Sequence, residues 1–196
     1  HAGTHLDVPA HFIEEGRTID ELAADEFVWP VYKIDVRDMH FDGDIPFVEI
    51  RHIRDYERAN GRIPRTGALV VLQTGAEGFW GAEKVEQDAD DNAANTDDFF
   101  EFANPGLSAD AVQWVFDRRR VAGVGSDAYG PDAFGDEDFS ATFTALDNDG
   151  VALVALKNLD SVNVRGDLIL APTVALSDGS GFSTDPIACH GRGGRH

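Results

Sequence analysis

Uninterrupted apolar runs occupy residues 68–72, 151–156 and 168–171, and between them polar and apolar positions interleave. Runs this short suit strands buried on both faces, since one half-exposed face would require alternation. Residues 31–36 (Val-Tyr-Lys-Ile-Asp-Val) read as a further strand. Residues 49–60 read as a helix that stops at Gly61, a residue free to adopt the left-handed conformation that ends helices. Ser108 is a good N-cap for a helix over 109–117, and residues 121–125 follow as a strand. Thr18, with Glu21 three positions on, opens a short helix over 18–22. Strands mixed with helices give an α/β class. Residues 82–99, rich in Asp, Asn and Ala with weak periodicity, read as an exposed loop or marginal helix in a position to act as a lid. Without an internal repeat or linker, residues 1–196 read as one domain, with a frayed end over 191–196.

The opening segment departs from this pattern. Gly3 and Pro9 argue against a helix, so residues 1–12 read as strand or loop. On an extended backbone His1, His5 and Asp7 point to one face, and Gly3 leaves space between them. Imidazole nitrogen and carboxylate oxygen suit Zn²⁺ or Mn²⁺, and three protein ligands leave a position open for water, which can ionise near neutral pH and attack a carbonyl. His11 lies beyond Pro9, where the strand ends, and its better role is general acid or base. A single surface histidine is most often inert; the same-face spacing makes the case here.

Charge narrows the partners. The 36 acidic and 16 basic residues give a net charge of −20, a surface that repels nucleic acid and anionic membranes. The acidic runs at 88–91 and 136–138 read as solvated surface. An acidic excess spread over a patterned chain with few lysines points to a halophilic source, because salt screens the self-repulsion. Cys189, the only cysteine, excludes an intrachain disulfide and a Cys-based zinc site. No apolar run approaches the ~20 residues of a membrane span, so a soluble, cytoplasmic protein is expected.

Other signals are weaker. Residues 123–128 match a loose G-x-G-x-x-A, but Tyr129-Gly130-Pro131 follows at once, leaving no helix to hold a pyrophosphate; Asp127 reads as a structural or pocket carboxylate. No G-x-S-x-G elbow occurs. Cys189 and His190 are strand neighbours pointing to opposite faces, with Cys189 at a buried strand end. His40 and His52 read as surface, and Phe79 with Trp80 as core packing before pocket wall.

The stretch His1-Ala-Gly-Thr-His5-Leu-Asp7-Val-Pro9-Ala-His11 resembles the hallmark H-x-G-T-H-x-D-x-P-x-H of the cyclase family, which includes bacterial kynurenine formamidases and isatin hydrolases. The resemblance continues through residues 72–75, 79–81, 105–108, 124–127 and 158–160. It implies an α/β fold of the swivelling β/α/β type, with a central mixed β-sheet or barrel and flanking helices. It also implies a homodimer, His1, His5 and Asp7 as ligands of a divalent metal (Zn or Mn), and His11 as the proton-transfer group. The implied activity is arylformamidase-like: hydrolysis of the C–N bond of a small-molecule amide or lactam. Family members with a full site supply a further His and Glu about twelve residues apart. The matching positions here are Phe143 and Ala155, which makes a non-catalytic metal- or ligand-binding relative the alternative. Relatives also carry a leading segment, so the chain reads as a fragment that begins at the first ligand.

Overall fold

The structure, a computed structural model, describes residues 3–79 and 104–191. Eight strands form one mixed sheet: β1 (His5–Asp7), β2 (Val28–Asp35), β4 (Leu69–Gln73), β6 (Gly123–Ser126), β7 (Val151–Val154), β8 (Arg165–Leu170), β9 (Gly181–Ser183) and β10 (Ile187–Cys189). β3 (Phe47–Val48) and β5 (Gly106–Leu107) pair separately. The helices described are α1 (Ile50–Asn60), α2 (Ala109–Arg119) and α3 (Ser140–Asp147). Spatial order in the sheet is β10-β8-β2-β4-β6-β7-β1-β9. The central four strands run parallel, and both flanks are antiparallel. The sheet curls into a half-barrel, the α/β arrangement expected from the mixed pattern.

β4 shows why the run at 68–72 is continuous. Val70 and Leu72 pack with Tyr32, Ile34 and Val124 against the helices, whereas Leu69 and Val71 face Leu6, Trp29, Leu153 and Ile169 inside the curl. Each such side chain contributes about 1.5–3 kcal/mol by leaving water, so both faces of β4 favour apolar residues. α1 stops at Gly61, which has φ 86°, as expected. Ser108 Oγ accepts from the Ala111 N–H at 3.2 Å, the cap that starts α2. The short helix after Thr18 is a single 3-10 turn, Ile19–Glu21, and Glu21 accepts from the Thr18 N–H at 2.9 Å.

Several readings need correction. The strand placed at 121–125 runs from Gly123 to Ser126. Its two glycines serve strand packing: a Cβ on Gly123 or Gly125 would collide with the carbonyl oxygens of Val151 and Leu153 on β7. No helix follows Ser126 directly, as expected, so this glycine pair is not a pyrophosphate turn. The apolar run at 151–156 stops being strand after Val154, because Ala155 turns left-handed at φ 53°. Cys189 lies in a strand as expected but is exposed, because β10 is a sheet edge. His40 is exposed as expected, whereas His52 is half-buried and its Nδ1 accepts from the Glu49 N–H at the start of α1. Phe79 is 38% exposed and outside the core clusters, and Trp80 and the 82–99 segment lie outside the described residues.

Candidate metal centre

β1 pairs on one side with β7, bringing His5 opposite Val154, and on the other with β9. Leu6 turns into the core, fully buried, so strand alternation sends His5 and Asp7 together to the opposite face. They are 8% and 6% exposed, and His5 Nε2 lies 3.5 Å from Asp7 Oδ2. His5 Nδ1 lies 2.8 Å from the Gly3 carbonyl oxygen. A carbonyl only accepts, so Nδ1 carries a proton, and Nε2 is the nitrogen that faces Asp7, donating to it when the ring is charged and able to ligate when it is neutral. Burial disfavours the imidazolium most strongly, but Asp7's hydrogen bond and charge, with the Gly3 carbonyl, outweigh it and raise the His5 pKa.

This is donor chemistry that fits a divalent ion. An imidazole whose Nδ1–H is tied to a carbonyl, next to a carboxylate, is the arrangement that orients ligating histidines. Among the described residues no three His, Cys, Asp or Glu side chains converge into a metal cluster. His5 and Asp7 supply two donors, and His1 lies outside the described residues. His11 ends the 3-10 turn Pro9–His11, with Nδ1 3.4 Å from Ser180 Oγ. It is exposed and shares a cavity of about 690 Å³ with His5 and Asp7.

The remaining wall comes from elements with no local signal. Asn104, Tyr129, Asp132, Asp136, Phe139, Thr142 and Val154 reach the cavity from the loops before α3, from α3 itself and from β7. Asp136 therefore departs from the solvated-surface reading of 136–138. It is half-buried, and its Oδ2 accepts from the Ser140 N–H at 3.1 Å and the Ser140 hydroxyl at 2.6 Å. Asp132 accepts from the Thr142 N–H at 2.9 Å and from the Thr142 hydroxyl. Burial pushes the Asp132 carboxyl above the usual range against the pull of those bonds. Asp127 is structural: fully buried, it accepts from the Thr74 N–H and hydroxyl and from the Gly75 and Glu77 N–H groups at 2.7–3.2 Å.

The two positions read as replaced ligands sit beside this cavity. Phe143 on α3 is 46% exposed, and Ala155 is buried, its carbonyl accepting from the Thr4 hydroxyl at 2.6 Å. The residues just before them, Thr142 and Val154, line the wall. Neither phenyl nor methyl can bind a metal.

Gly106 holds the Asp132 loop in place. A Cβ there would strike the backbone of Asp132 and Ala133, because the Leu107 N–H donates to the Pro131 carbonyl at 2.7 Å across the same contact. Gly106→Ala is expected to destabilise the fold by about 3 kcal/mol, near the upper end of overpacking costs. Denaturant unfolding checks it, and a loss below ~0.5 kcal/mol would show that the loop yields freely.

A curled mixed sheet that offers a buried His/Asp pair to an open cavity defines an α/β protein with a candidate site at the rim of its half-barrel. Comparison with known proteins places it more narrowly. The model of the putative cyclase family matches residues 1–133, and the chain belongs to the cyclase family. It is 28% identical over 198 residues to an isatin hydrolase of Roseibium aggregatum, covering 96% of this chain and 71% of that protein. It is 28% identical over 175 residues to a kynurenine formamidase of Salinibacter ruber, covering 88% and 68%. Among solved structures, isatin hydrolase A from Ralstonia solanacearum superposes with a TM-score of 0.75 at 28% identity, over 95% of this chain and 70% of that one. An isatin hydrolase bound to the product analogue thioisatinate has the same fold, with a TM-score of 0.76 at 24% identity over 95% and 70%. No helix among the described residues is long and apolar enough to cross a membrane.

Proposed function

We propose that the chain is a metal-dependent hydrolase of amide or lactam C–N bonds, arylformamidase-like. The small-molecule amide or lactam is its substrate and a homodimer its assembly. The observation that carries this is the His5–Asp7 pair: two metal-type donors on one buried strand face, with the His5 tautomer set by Gly3, opening on a cavity that also holds His11. His1 would complete the ligand set. A bound Zn²⁺ or Mn²⁺ supplies positive charge that polarises a carbonyl and acidifies water. His5 and Asp7 would hold that charge at the buried side of the cavity. His11, at the exposed end, delivers a proton to the leaving nitrogen as the C–N bond breaks and water adds to the carbonyl carbon. The aromatic wall around Phe12 and Phe139, whose ring centroids lie 6.3 Å apart, receives the substrate's ring.

His11→Ala tests the division of roles. It is expected to retain bound metal and to lower kcat for formanilide by about 10²-fold, the low end for a lost general acid. Elemental analysis and steady-state kinetics check this, and loss of the metal in that variant would make His11 a ligand.

A second reading is favoured by Phe143 and Ala155. With side chains there that cannot ligate, the chain would bind a metal or ligand without turning it over. Formanilide and isatin assays after chelation, with Zn²⁺ or Mn²⁺ added back, separate the two: metal-restored hydrolysis supports the enzyme, and metal binding without hydrolysis supports the non-catalytic relative.

A further inference from the structure

The cavity wall is electrostatically one-sided. Its described residues include three carboxylates, Asp7, Asp132 and Asp136, and neither a lysine nor an arginine. Arginines elsewhere are engaged with other carboxylates: Arg17 with Asp149 and Glu26, Arg37 with Asp35 and Asp160, Arg119 with Glu57. Between the carboxylates the wall is aromatic, formed by Phe12, Tyr129, Phe134 and Phe139, all 40–55% exposed.

Two of the carboxylates are held in place. Asp132 is tied to the Thr142 N–H and hydroxyl, and Asp136 to the Ser140 N–H and hydroxyl, so both are fixed to the first turn of α3. That helix end carries roughly half a positive charge, which offsets the pair only in part, although burial works against the charged form of Asp132. A divalent ion on His5 and Asp7 would offset charge at the reacting end of the cavity, and the Asp132–Asp136 side would stay negative. An anionic group on the remote part of a substrate would meet like charge there, in a recess where solvent screens less than at the open surface.

We infer, building on the amide-hydrolase reading, that Asp132 and Asp136 make this cavity selective for aromatic amides and lactams that carry no anionic group away from the scissile bond. The rings accept an uncharged aromatic body, and the aspartates exclude its carboxylate-bearing analogue.

The test uses two matched pairs on the full chain loaded with Zn²⁺ or Mn²⁺. Acetophenone and para-acetylbenzoate, which have no C–N bond to break, are compared by titration calorimetry. Formanilide and para-formamidobenzoate are compared as substrates. The neutral member of each pair is expected to be favoured at least about tenfold at low salt, equivalent to about 1.4 kcal/mol. The ratio should shrink in Asp136→Asn, which keeps an acceptor for Ser140, and in wild type as salt rises. The salt series stands on its own should the variant fold poorly. Equal or tighter binding of the carboxylate, a ratio insensitive to salt, or no binding of either ketone overturns the inference. A preserved binding ratio without hydrolysis of either amide upholds the selectivity and removes the hydrolase reading. Equal hydrolysis of both amides keeps the hydrolase and removes the selectivity.

Discussion

His5→Ala is expected to lower kcat/KM for an aromatic amide by about 10²–10³-fold, the scale on which single groups that stabilise developing charge act, and to abolish stoichiometric Zn²⁺ or Mn²⁺ binding. The reason is the geometry of β1. His5 is the only described imidazole on the buried strand face beside Asp7, and the Gly3 carbonyl holds its ring in the one tautomer that offers Nε2. Removing the ring strips the local charge partner of Asp7 and the oriented donor together. The backbone of β1 keeps its ladder bonds to β7 and β9, so the fold should survive and the loss should be chemical. Asp7→Asn is the matching control: its amide keeps the shape, loses the charge and should also release the metal. The idea fails if His5→Ala keeps both a tightly held ion by elemental analysis and wild-type hydrolysis. A circular dichroism spectrum matching wild type shows that the loss is not unfolding.

What could be read without coordinates divides along a physical line. β4 was legible because both of its faces are buried, so its residue types alone report its position. The inner half of the site was legible for a related reason: period-two spacing on an extended backbone places His5 and Asp7 on one face, and β1 keeps that period through Asp7. The outer half was not. Asp132, Asp136, Thr142 and Tyr129 reach the cavity because β1 pairs with β7 across almost 150 positions of chain, a long-range pairing that no local pattern encodes. Asp136 was further hidden inside an acidic run in a chain with a net charge of −20, where a carboxylate that anchors α3 resembles its solvated neighbours. One faint signal existed: Asp136 stands four residues before Ser140, within reach of a helix start. Cys189 shows the opposite failure, since an apolar-looking stretch can lie on a sheet edge and stay exposed.

The largest stability effect is expected away from the cavity, at the junction of α1 and α2. Glu57 on α1 is 7% exposed and accepts from Arg119 Nε and an Arg119 terminal nitrogen at 2.6 Å each, and from the Ile63 N–H at 3.0 Å. The Arg119 guanidinium also lies 4.3 Å from the Trp114 ring centroid, which holds the fork flat for the two-pronged bond. Glu57→Ala leaves a half-buried guanidinium without its carboxylate, a change that costs about 3–5 kcal/mol, whereas an apolar replacement of both partners would cost far less. Near this chain length each kcal/mol moves Tm by about 2–4 °C, so a fall of roughly 10 °C is expected by calorimetry. The acid limb carries the same signature. Arg119 and the Ile63 N–H hold the Glu57 carboxyl below its usual 4.5 despite burial, so its stabilisation is fully present above that value. It is lost as pH falls through the lower folded-state pKa, where protonation removes the charge from the pair. Wild type should therefore lose stability more steeply than Glu57→Gln below about pH 4.5, the two curves converging in acid. Parallel curves would mean that the pair contributes shape and no charge.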